Sequence, residues 1–458
     1  MENDSKTTLS PPLPLHKSGK FFLNFASLMV IPAITDVTMS AVCPGKDECS
    51  LAIYLSGFQQ AIIGLGTVVM MPLIGNLSDQ YGRKALLTLP MTLSIIPLVL
   101  ARKRKVLLIE PRTLAVVAMS GQWIIRMHGV HFHGVTFLEF CGHRTTTFFY
   151  AYYLLRTLTA MICEGSINCL ALAYVADNVL ERQRTSAFGI LSGIATAAFV
   201  CGTLAARFLS TASTFQVAAL VSMLAAVYMR IFLRERLAPV LKKIPSIQDI
   251  TGLLKSSVTF SQAAVVAFFN SIAEGGMQAS IMYYLKARFH FSKNQYADLM
   301  LLLGIAGMAS QLVFMPLLAQ LVAEEKLLAI GLLGGIADAL LFSVAWSNWV
   351  PYATTIFAVF VVFVPPCLRS IASKQVGPTE QGKAQGCISG IISFAKIVSP
   401  LIYSPLTALF LSEDAPFHFP GFSILCIGFA TMIAFFQSVL MRGAPPISSH
   451  KISNSLLA

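Results

Sequence analysis

Charged side chains are scarce in this chain. Asp, Glu, Lys and Arg account for 12% of its 458 residues, about half the share that a soluble domain carries. Hydrophobic residues reach 55%, and 32 residues are Phe, so a soluble protein of this composition would precipitate. The scarcity of charge therefore excludes an ordinary soluble protein. It indicates helices that pack against lipid and against one another.

Sequence features of several other protein classes are also missing. The chain has no G-x-x-x-x-G-K-[ST] loop, so we expect no direct drive by ATP. It has no clustered nucleophile and no metal-ligand set, so we expect neither an enzyme nor a bound cofactor. The formal net charge is +12, but the basic residues form short clusters between apolar runs. They indicate membrane topology rather than a nucleic-acid surface.

Twelve apolar segments are long enough to cross a membrane, which takes about 20 residues of helix. Six precede a polar linker and six follow it, which predicts an all-α membrane protein of two six-helix halves. The predicted helices 1 to 12 lie near 21–43, 51–74, 85–100, 147–175, 186–208, 214–234, 259–286, 296–321, 327–346, 350–369, 384–411 and 420–441. The domains expected are an N-terminal tail 1–20, a first half 21–234, a linker 235–258, a second half 259–442 and a C-terminal tail 443–458.

Lysine and arginine are distributed unevenly between the two sides of this predicted bundle. If the N-terminus is cytoplasmic, the cytoplasmic segments hold 19 of the 33 Lys and Arg, and the outer loops hold five. Arg156 and Lys396 lie within predicted helices, and the other seven fall in the segment 101–146. Cytoplasmic loops of membrane proteins are enriched in basic residues. We therefore expect both termini in the cytoplasm, with plasma and internal membranes both left open.

Two short matches indicate that the halves are repeats of each other. MPLIGNL at 71–77 resembles MPLLAQL at 315–321, at an offset of 244. The Ser-Gly-Ile triplets at 192–194 and 389–391 stand at an offset of 197. Internal repeats of this kind are typical of secondary transporters. Because the offset falls by 47, the first half must contain about 45 extra residues between predicted helices 2 and 5.

The segment 101–146 has that length and shows no sustained helical period. It falls on the outer side, where positive charge is disfavoured. It is either a real outer loop or translated sequence that a normal transcript would splice out, and we favour the second. Its cluster of histidines and a cysteine matches no standard metal site, so we expect no metal there. The cluster comprises His128, His131, His133, Cys141 and His143.

The sharpest motif is GNLSDQYGRK at 75–84, predicted to be the loop between helices 2 and 3. It resembles the signature loop of the major facilitator superfamily, whose members are membrane transporters. Gln80 departs from that pattern, which usually has a basic residue there. Asp79 can face a helix N-terminus, although an ordinary charged turn is the alternative. The matching residues are Gly75, Leu77, Ser78, Asp79, Tyr81, Gly82, Arg83 and Lys84.

Predicted helix 4 carries Arg156 and, two turns on, Glu164. Arg156 matches the helix-4 arginine of drug–proton antiporters in the superfamily, which implies a part in proton coupling; the alternative is that it reaches to the outer interface. The stretch 171–189 resembles the helix 4–5 loop of tetracycline-resistance exporters. That resemblance implies a cytoplasmic charge network that joins Asp79 and Arg83 to Asp177, Arg182 and Arg184. Predicted helix 5 lacks the Gly-Pro signature of antiporters, which puts an antiport direction in doubt.

Other polar residues inside the predicted spans mark a path for substrate or protons. Asn270, Glu274 and Gln278 form one stripe on predicted helix 7. Asp36 on predicted helix 1 resembles the helix-1 acid of tetracycline exporters. We expect the pathway to use these four residues together with Arg156 and Glu164, although structural pairing is the alternative for each one.

Over nearly all its length except 101–146 and the tails, the chain is similar to proteins called tetracycline-resistance-like or hippocampus-abundant-transcript-like. That resemblance implies a secondary transporter that moves an unspecified small solute by alternating access. Its expected partners are that solute, protons and the lipid bilayer. The alternative is a non-transporting membrane receptor or scaffold that has kept the transporter fold.

The segment 101–146 should be dispensable. Joining predicted helices 3 and 4 by a short polar turn should raise the yield of monodisperse protein, because the basic segment opposes translocation and adds to a repeat that closes without it. Size-exclusion chromatography of the two purified proteins measures this yield. A loss of folded protein on deletion would show instead that the segment is structural.

Overall fold

The computed structural model describes residues 19–30, 50–100, 146–163, 165–232, 252–255, 257–412 and 415–441. Within them, counting helices with short interruptions once, twelve long helices follow one another. They are α1 (Gly19–Val30), α2 (Ser50–Tyr81), α3 (Arg83–Leu100), α4 (Thr146–Cys163 and Ser166–Asn178), α5 (Arg184–Phe208), α6 (Thr211–Phe232), α7 (Val258–Phe289), α8 (Lys293–Ala309, a π turn Ser310–Phe314 and Met315–Leu321), α9 (Glu324–Ser343), α10 (Val350–Ala353, Thr355–Val361 and Val364–Lys374), α11 (Gln381–Leu411) and α12 (Phe422–Leu440).

Most of these helices have the length and composition of membrane spans. In the described part of the chain, nine are long and apolar enough to cross a bilayer. α1 and α3 contribute shorter apolar stretches, and α7 is a helix of 32 residues that carries the polar stripe. The all-α membrane class is confirmed. The predicted segment 101–146, the linker before 252 and both tails lie wholly or largely outside the described residues.

The signature segment 75–84 was predicted to be a loop, but in the structure it is almost entirely helical. α2 continues through Tyr81, and only Gly82 separates it from α3, which begins at Arg83. Gly82 has φ 90°, a conformation that side chains with a Cβ rarely adopt. The prediction ended helix 2 near 74, where the apolar run ends. Asp79 is instead presented on the last turns of α2, and Arg83 and Lys84 lie on the first turn of α3.

Two other helices differ from the predicted ones. Predicted helix 4 is broken at Gly165, which has φ 85°, so that α4 consists of two helices. Predicted helix 10 ended at 369, whereas α10 continues to Lys374. Hydropathy marks where an apolar run ends, but a helix continues for as long as its backbone groups are paired and its side chains are packed.

The two halves meet closely where α2 packs against α11. Glycines at i, i+4 and i+8 on α11, Gly382, Gly386 and Gly390, bring the backbones of the two helices together. A Cβ on Gly386 would lie 2.8 Å from the carbonyl oxygen of Met71 and 3.1 Å from Cα of Pro72. We call this end of the bundle, which carries Asp79, the signature end.

A second contact between the halves repeats the first. α5 packs against α8, where a Cβ on Gly193 would lie 2.7 Å from Leu312 and one on Gly189 would collide with Met315. Gly193 and Gly189 stand 197 residues before Gly390 and Gly386. Leu312 and Met315 stand 244 residues after Val68 and Met71, which face those α11 glycines. The offsets of 197 and 244 therefore relate the contact of α5 with α8 to the contact of α11 with α2.

Replacing Gly386 with Val should destabilise the protein by about 1–3 kcal/mol, because the added atoms meet backbone atoms of α2 that cannot turn aside. Gly377→Val is the matched control, since a Cβ at Gly377 meets nothing within 4 Å. Thermal unfolding in detergent should show a lower melting temperature for Gly386→Val only. Equal melting temperatures for both variants would contradict the close approach of α2 and α11.

Candidate functional site

The Asp79 carboxylate caps the first turn of α11 across the interface between the halves. Its Oδ1 accepts a hydrogen bond from the backbone N–H of Gly382 at 2.9 Å, and its Oδ2 accepts one from Lys383 at 2.8 Å. The side chain is only 8% exposed. The first N–H groups of a helix have no partner within the helix and carry partial positive charge, so a carboxylate there is stabilised.

Arg83 connects this carboxylate to α4. Its guanidinium forms an ion pair with Asp79, and its Nε donates to Asp177 Oδ2 at 2.8 Å. The same guanidinium donates to the Ser78 hydroxyl, which in turn donates to the carbonyl of Gly75 at 2.6 Å. The group is buried, so its charges are weakly screened and its breakage would be costly.

The other two arginines of the predicted network make different contacts, although the charge of Arg184 also interacts with that of Asp177. Arg184 is buried and donates to the carbonyl oxygen of Ser373 on α10 at 3.3 Å. Arg182 is exposed and lines a surface pocket that also includes Glu325 and Lys374. The structure thus brings Asp79, Arg83 and Asp177 into direct contact, whereas Arg184 joins a separate contact between the halves and Arg182 joins neither.

Glu324, at the start of α9, is the acidic residue of the second contact between the halves, and it was not predicted from the sequence. Its Oε2 accepts hydrogen bonds from the hydroxyls of Thr185 on α5 at 2.6 Å and Ser370 on α10 at 2.9 Å. Its Oε1 lies 2.8 Å from Lys374 Nζ. The repeat offset of 244 leads from Asp79 to within one residue of Glu324, and the offset of 197 leads from Thr185 to Gly382. The repeat was the signal that could have found it.

A cavity of about 390 Å³ lies between the halves, lined by α1, α4, α5, α7, α8, α10 and α11. Gln311 is placed on its wall by the π turn in α8, and its Oε1 accepts a hydrogen bond from Thr196 on α5 at 2.9 Å. Single π turns often occur at functional sites. Polar groups of both halves therefore face one space, as a solute site requires.

The predicted stripe on α7 reaches this cavity in part. Asn270 and Glu274 line it, whereas Gln278, one turn further along, does not. Glu274 Oε2 lies 3.8 Å from Lys396 Nζ on α11, and the two side chains are 47% and 45% exposed. This separation and exposure describe a loose ion pair that faces the cavity rather than a packed structural pair.

Two cations on the cavity wall were not predicted to line it, because both were counted among the cytoplasmic lysines and arginines. Lys20 lies in the first turn of α1 and is 6% exposed. Arg369 lies on α10, more than a turn before its end, and donates to Gln385 Oε1 at 3.2 Å and Ser389 Oγ at 3.1 Å. Each stood at the edge of a predicted span, where a basic residue indicates topology, so no sequence signal separated the two roles.

Besides Gln278, three more predicted pathway residues are not placed at this site. Asp36 and Glu164 lie outside the described residues. Arg156 is half-buried on α4 and is not among the residues that line the cavity. The next residue, Thr157, accepts a hydrogen bond from Gln59 on α2 at 2.9 Å, which joins α4 to α2 within the first half. The roles of all three in a pathway remain predictions.

The sequence model described as Major Facilitator Superfamily matches residues 132–400, more than half of the chain. Hippocampus abundant transcript 1 protein of Mus musculus is 22% identical over 420 residues, covering 88% of this chain and 75% of the relative. Hippocampus abundant transcript-like protein 1 of Bos taurus is 23% identical over 440 residues, covering 88% and 77%. The class E tetracycline resistance protein of Escherichia coli is 21% identical over 276 residues, covering 58% and 67%. The predicted resemblance is confirmed.

Solved structures of transporters share the fold. The human organic anion transporter MFSD10 (TETRAN) superimposes with a TM-score of 0.69 at 15% identity, covering 94% of this chain and 100% of that one. A bacterial homologue of the iron transporter ferroportin in its outward-facing state gives 0.67 at 13% identity, covering 93% and 99%. At these identities the likeness establishes the fold and nothing about the solute.

Asp79→Asn should destabilise closure at the signature end, because it weakens the ion pair with Arg83 and one of the two caps on α11. We expect a lower transport rate, solute affinity within a few fold of wild type, and faster maleimide labelling of Cys169. That cysteine is fully buried on α4 and lies close enough to Asp79 and Arg83 to interact with them electrostatically. Mass spectrometry of the labelled peptide separates it from the other cysteines.

Asp298→Asn is the matched control, the same change at an exposed position near the start of α8. It should leave Cys169 labelling unchanged. If Asp79→Asn abolished solute binding in detergent without unfolding the protein, Asp79 would belong to the solute site and its assignment to closure would be wrong.

Proposed function

The chain belongs to the major facilitator superfamily, and we propose that it is a secondary transporter that moves a small solute by alternating access, coupled to protons. Membership of that family makes it a multi-pass membrane transporter rather than an enzyme. The observation that carries the proposal is the cavity of about 390 Å³ between the halves. At one end, the contact of α2 with α11 and the equivalent contact of α5 with α8 join the same two halves. A bundle of this kind can exchange one closed end for the other by rocking its halves.

The closing contacts are of a kind that can separate. Asp79 and Glu324 each bridge the halves through hydrogen bonds and ion pairs, which water can replace when the helices part. The distribution of lysines and arginines favours a cytoplasmic signature end. On that orientation, the structure corresponds to a state closed towards the cytoplasm, in which the cavity would load from the other side.

Proton coupling is proposed for the loose pair of Glu274 and Lys396. A carboxylate at membrane depth is costly unless it is paired, so protonation of Glu274 and release of Lys396 are linked. The pair faces the cavity, where solute and water exchange during the cycle. A group whose surroundings differ between two states binds its proton differently in each, which is what coupling requires. Glu164 and Asp36 remain the other candidate carboxylates.

The names of the structural neighbours do not select a solute, since they refer to organic anions, iron and, for another neighbour, fucose with protons. The scaffold alternative gains weight from the altered sequence of α5 and from the extra segment 101–146. That helix still uses its glycines for close packing: a Cβ on Gly202 would lie 3.2 Å from backbone atoms of α1, and Gly189 and Gly193 meet α8. The packing of α5 that a moving transporter needs is therefore retained, which favours transport.

Glu274→Gln, alone and with Glu164→Gln, should abolish uptake driven by a pH gradient while leaving solute exchange at equal pH measurable, because only the proton-binding group is lost. The assay uses proteoliposomes that contain a pH-sensitive dye and the solute that most stabilises the purified protein in a thermal-shift screen. Glu325→Gln, at a partly exposed position in the first turn of α9 that does not line the cavity, is the matched control.

Gradient-driven transport that survives both substitutions together would exclude these two carboxylates and leave Asp36 to be tested. Saturable solute binding without flux under any gradient would favour the scaffold alternative instead. Flux that is indifferent to pH would retain transport and refute coupling to protons.

A further inference from the structure

The charges on the cavity wall do not balance. Four of the described lining residues are charged, and three of them, Lys20, Arg369 and Lys396, are cations. Glu274 is the single acid among them, and it pairs with Lys396. The remaining charge of the described lining is therefore that of Lys20 and Arg369.

These two cations line the same cavity from opposite halves of the protein. Lys20 belongs to α1, Arg369 belongs to α10, and their charges repel each other. Lys20 is only 6% exposed and forms no ion pair within the described part of the chain. The side chains that accept hydrogen bonds from Arg369 are neutral, Gln385 and Ser389.

Two like charges held at one buried place are unfavourable unless something compensates them. Burial removes water from each cation, and the low dielectric strengthens the repulsion between them. Gln385 and Ser389 offset part of the desolvation of Arg369 but none of the charge. An anion between Lys20 and Arg369 would supply what both lack, since a carboxylate can accept two hydrogen bonds from a guanidinium.

The rest of the lining limits the kind of anion. Leu172, Ala267, Val364, Leu368 and Ile392 give the cavity apolar walls. Its volume of about 390 Å³ lies within the range of small-molecule sites and exceeds what a simple inorganic ion needs. Apolar walls around a charged end suit a molecule with a carbon skeleton and one acidic head.

We propose that the cavity binds a small organic anion, with its acidic head between Lys20 and Arg369 and its carbon body against the apolar walls. This names the substrate class of the transporter proposed above and rests on that proposal. Lys396 remains paired with Glu274, so the anion site and the coupling pair are separate parts of one cavity.

The test is thermal unfolding of the purified full chain with pairs of compounds that differ only in charge. Benzoate and hexanoate are the anionic probes, benzamide and hexanamide are their neutral counterparts, and benzylamine is the cation. At millimolar concentrations we expect at least one anion to raise the melting temperature by about 3 °C, with no effect of its amide or of benzylamine. Chloride and inorganic phosphate test whether a simple ion suffices.

Lys20→Gln and Arg369→Gln should each weaken binding of the stabilising anion about tenfold, the value of one charge-assisted hydrogen bond. Arg230→Gln, which removes the same charge at an exposed position on α6, is the matched control and should bind like wild type. Lys20→Arg and Arg369→Lys keep the charge and guard against misfolded variants. In the wild type, added NaCl should weaken anion binding.

The inference is overturned if no anion stabilises the wild type, if the amides, chloride or phosphate stabilise it equally, or if the glutamine variants bind the anion as the wild type does. These results are separable from the fate of the proposed function. Anion binding without flux in proteoliposomes would contradict transport and support the anion site. Flux of a neutral or cationic solute through the cavity would support transport and contradict the anion site.

Discussion

The carboxylate of Asp79 at the first turn of α11 is the contact on which the closed arrangement depends. Its two oxygens use two backbone N–H groups of the opposite half, and these groups would otherwise have no partner inside their helix. Arg83 neutralises the carboxylate and ties it to Asp177 on α4. Three helices of the first half thus hold one helix end of the second. Separation of the halves would strip Asp79 of its donors while its partner Arg83 stayed with the first half.

The second contact follows from the first through the internal repeat. Glu324, one residue beyond the offset of 244 from Asp79, takes the place of Asp79, and Thr185 takes the place of Gly382 at the offset of 197. The chemistry has diverged, because a side-chain hydroxyl replaces backbone N–H groups as the donor. The geometry has not, since the same glycine positions on α5 and α11 meet the same positions on α8 and α2. A rocking motion about the axis that relates the halves would break both contacts together.

The fold could be predicted from the sequence to a large extent, because long apolar runs have few solutions in a membrane and the repeat constrains their order. The approach of Asp79, Arg83 and Asp177 was expected instead from the resemblance of 171–189 to the helix 4–5 loop of tetracycline-resistance exporters. The cavity-lining positions of Lys20 and Arg369 could not be predicted. A basic residue at the edge of a predicted span looks the same in the sequence whether it faces water or a cavity. The break at Gly165 was missed because hydropathy is blind to a single residue with positive φ. Side-chain direction is decided by tertiary packing.

The cavity and the closing contacts share α10, which supplies a physical route between solute and gate. Arg369 faces the cavity, and the next residue, Ser370, donates to Glu324, while Ser373 accepts from Arg184 one turn later. α11 does the same from the other side: Gln385 and Ser389 hold Arg369, and Gly382 binds Asp79. In the alternating-access cycle proposed above, closing the signature end would bring Lys20 and Arg369 closer across the interface, so their repulsion would oppose closure of an empty cavity. An anion between the two cations would make this electrostatic contribution to closure favourable. A ligand shifts a conformational equilibrium only when it binds one state more tightly than the other. On that proposal, a loaded cavity would favour closure at the signature end, and release of the anion would favour its opening.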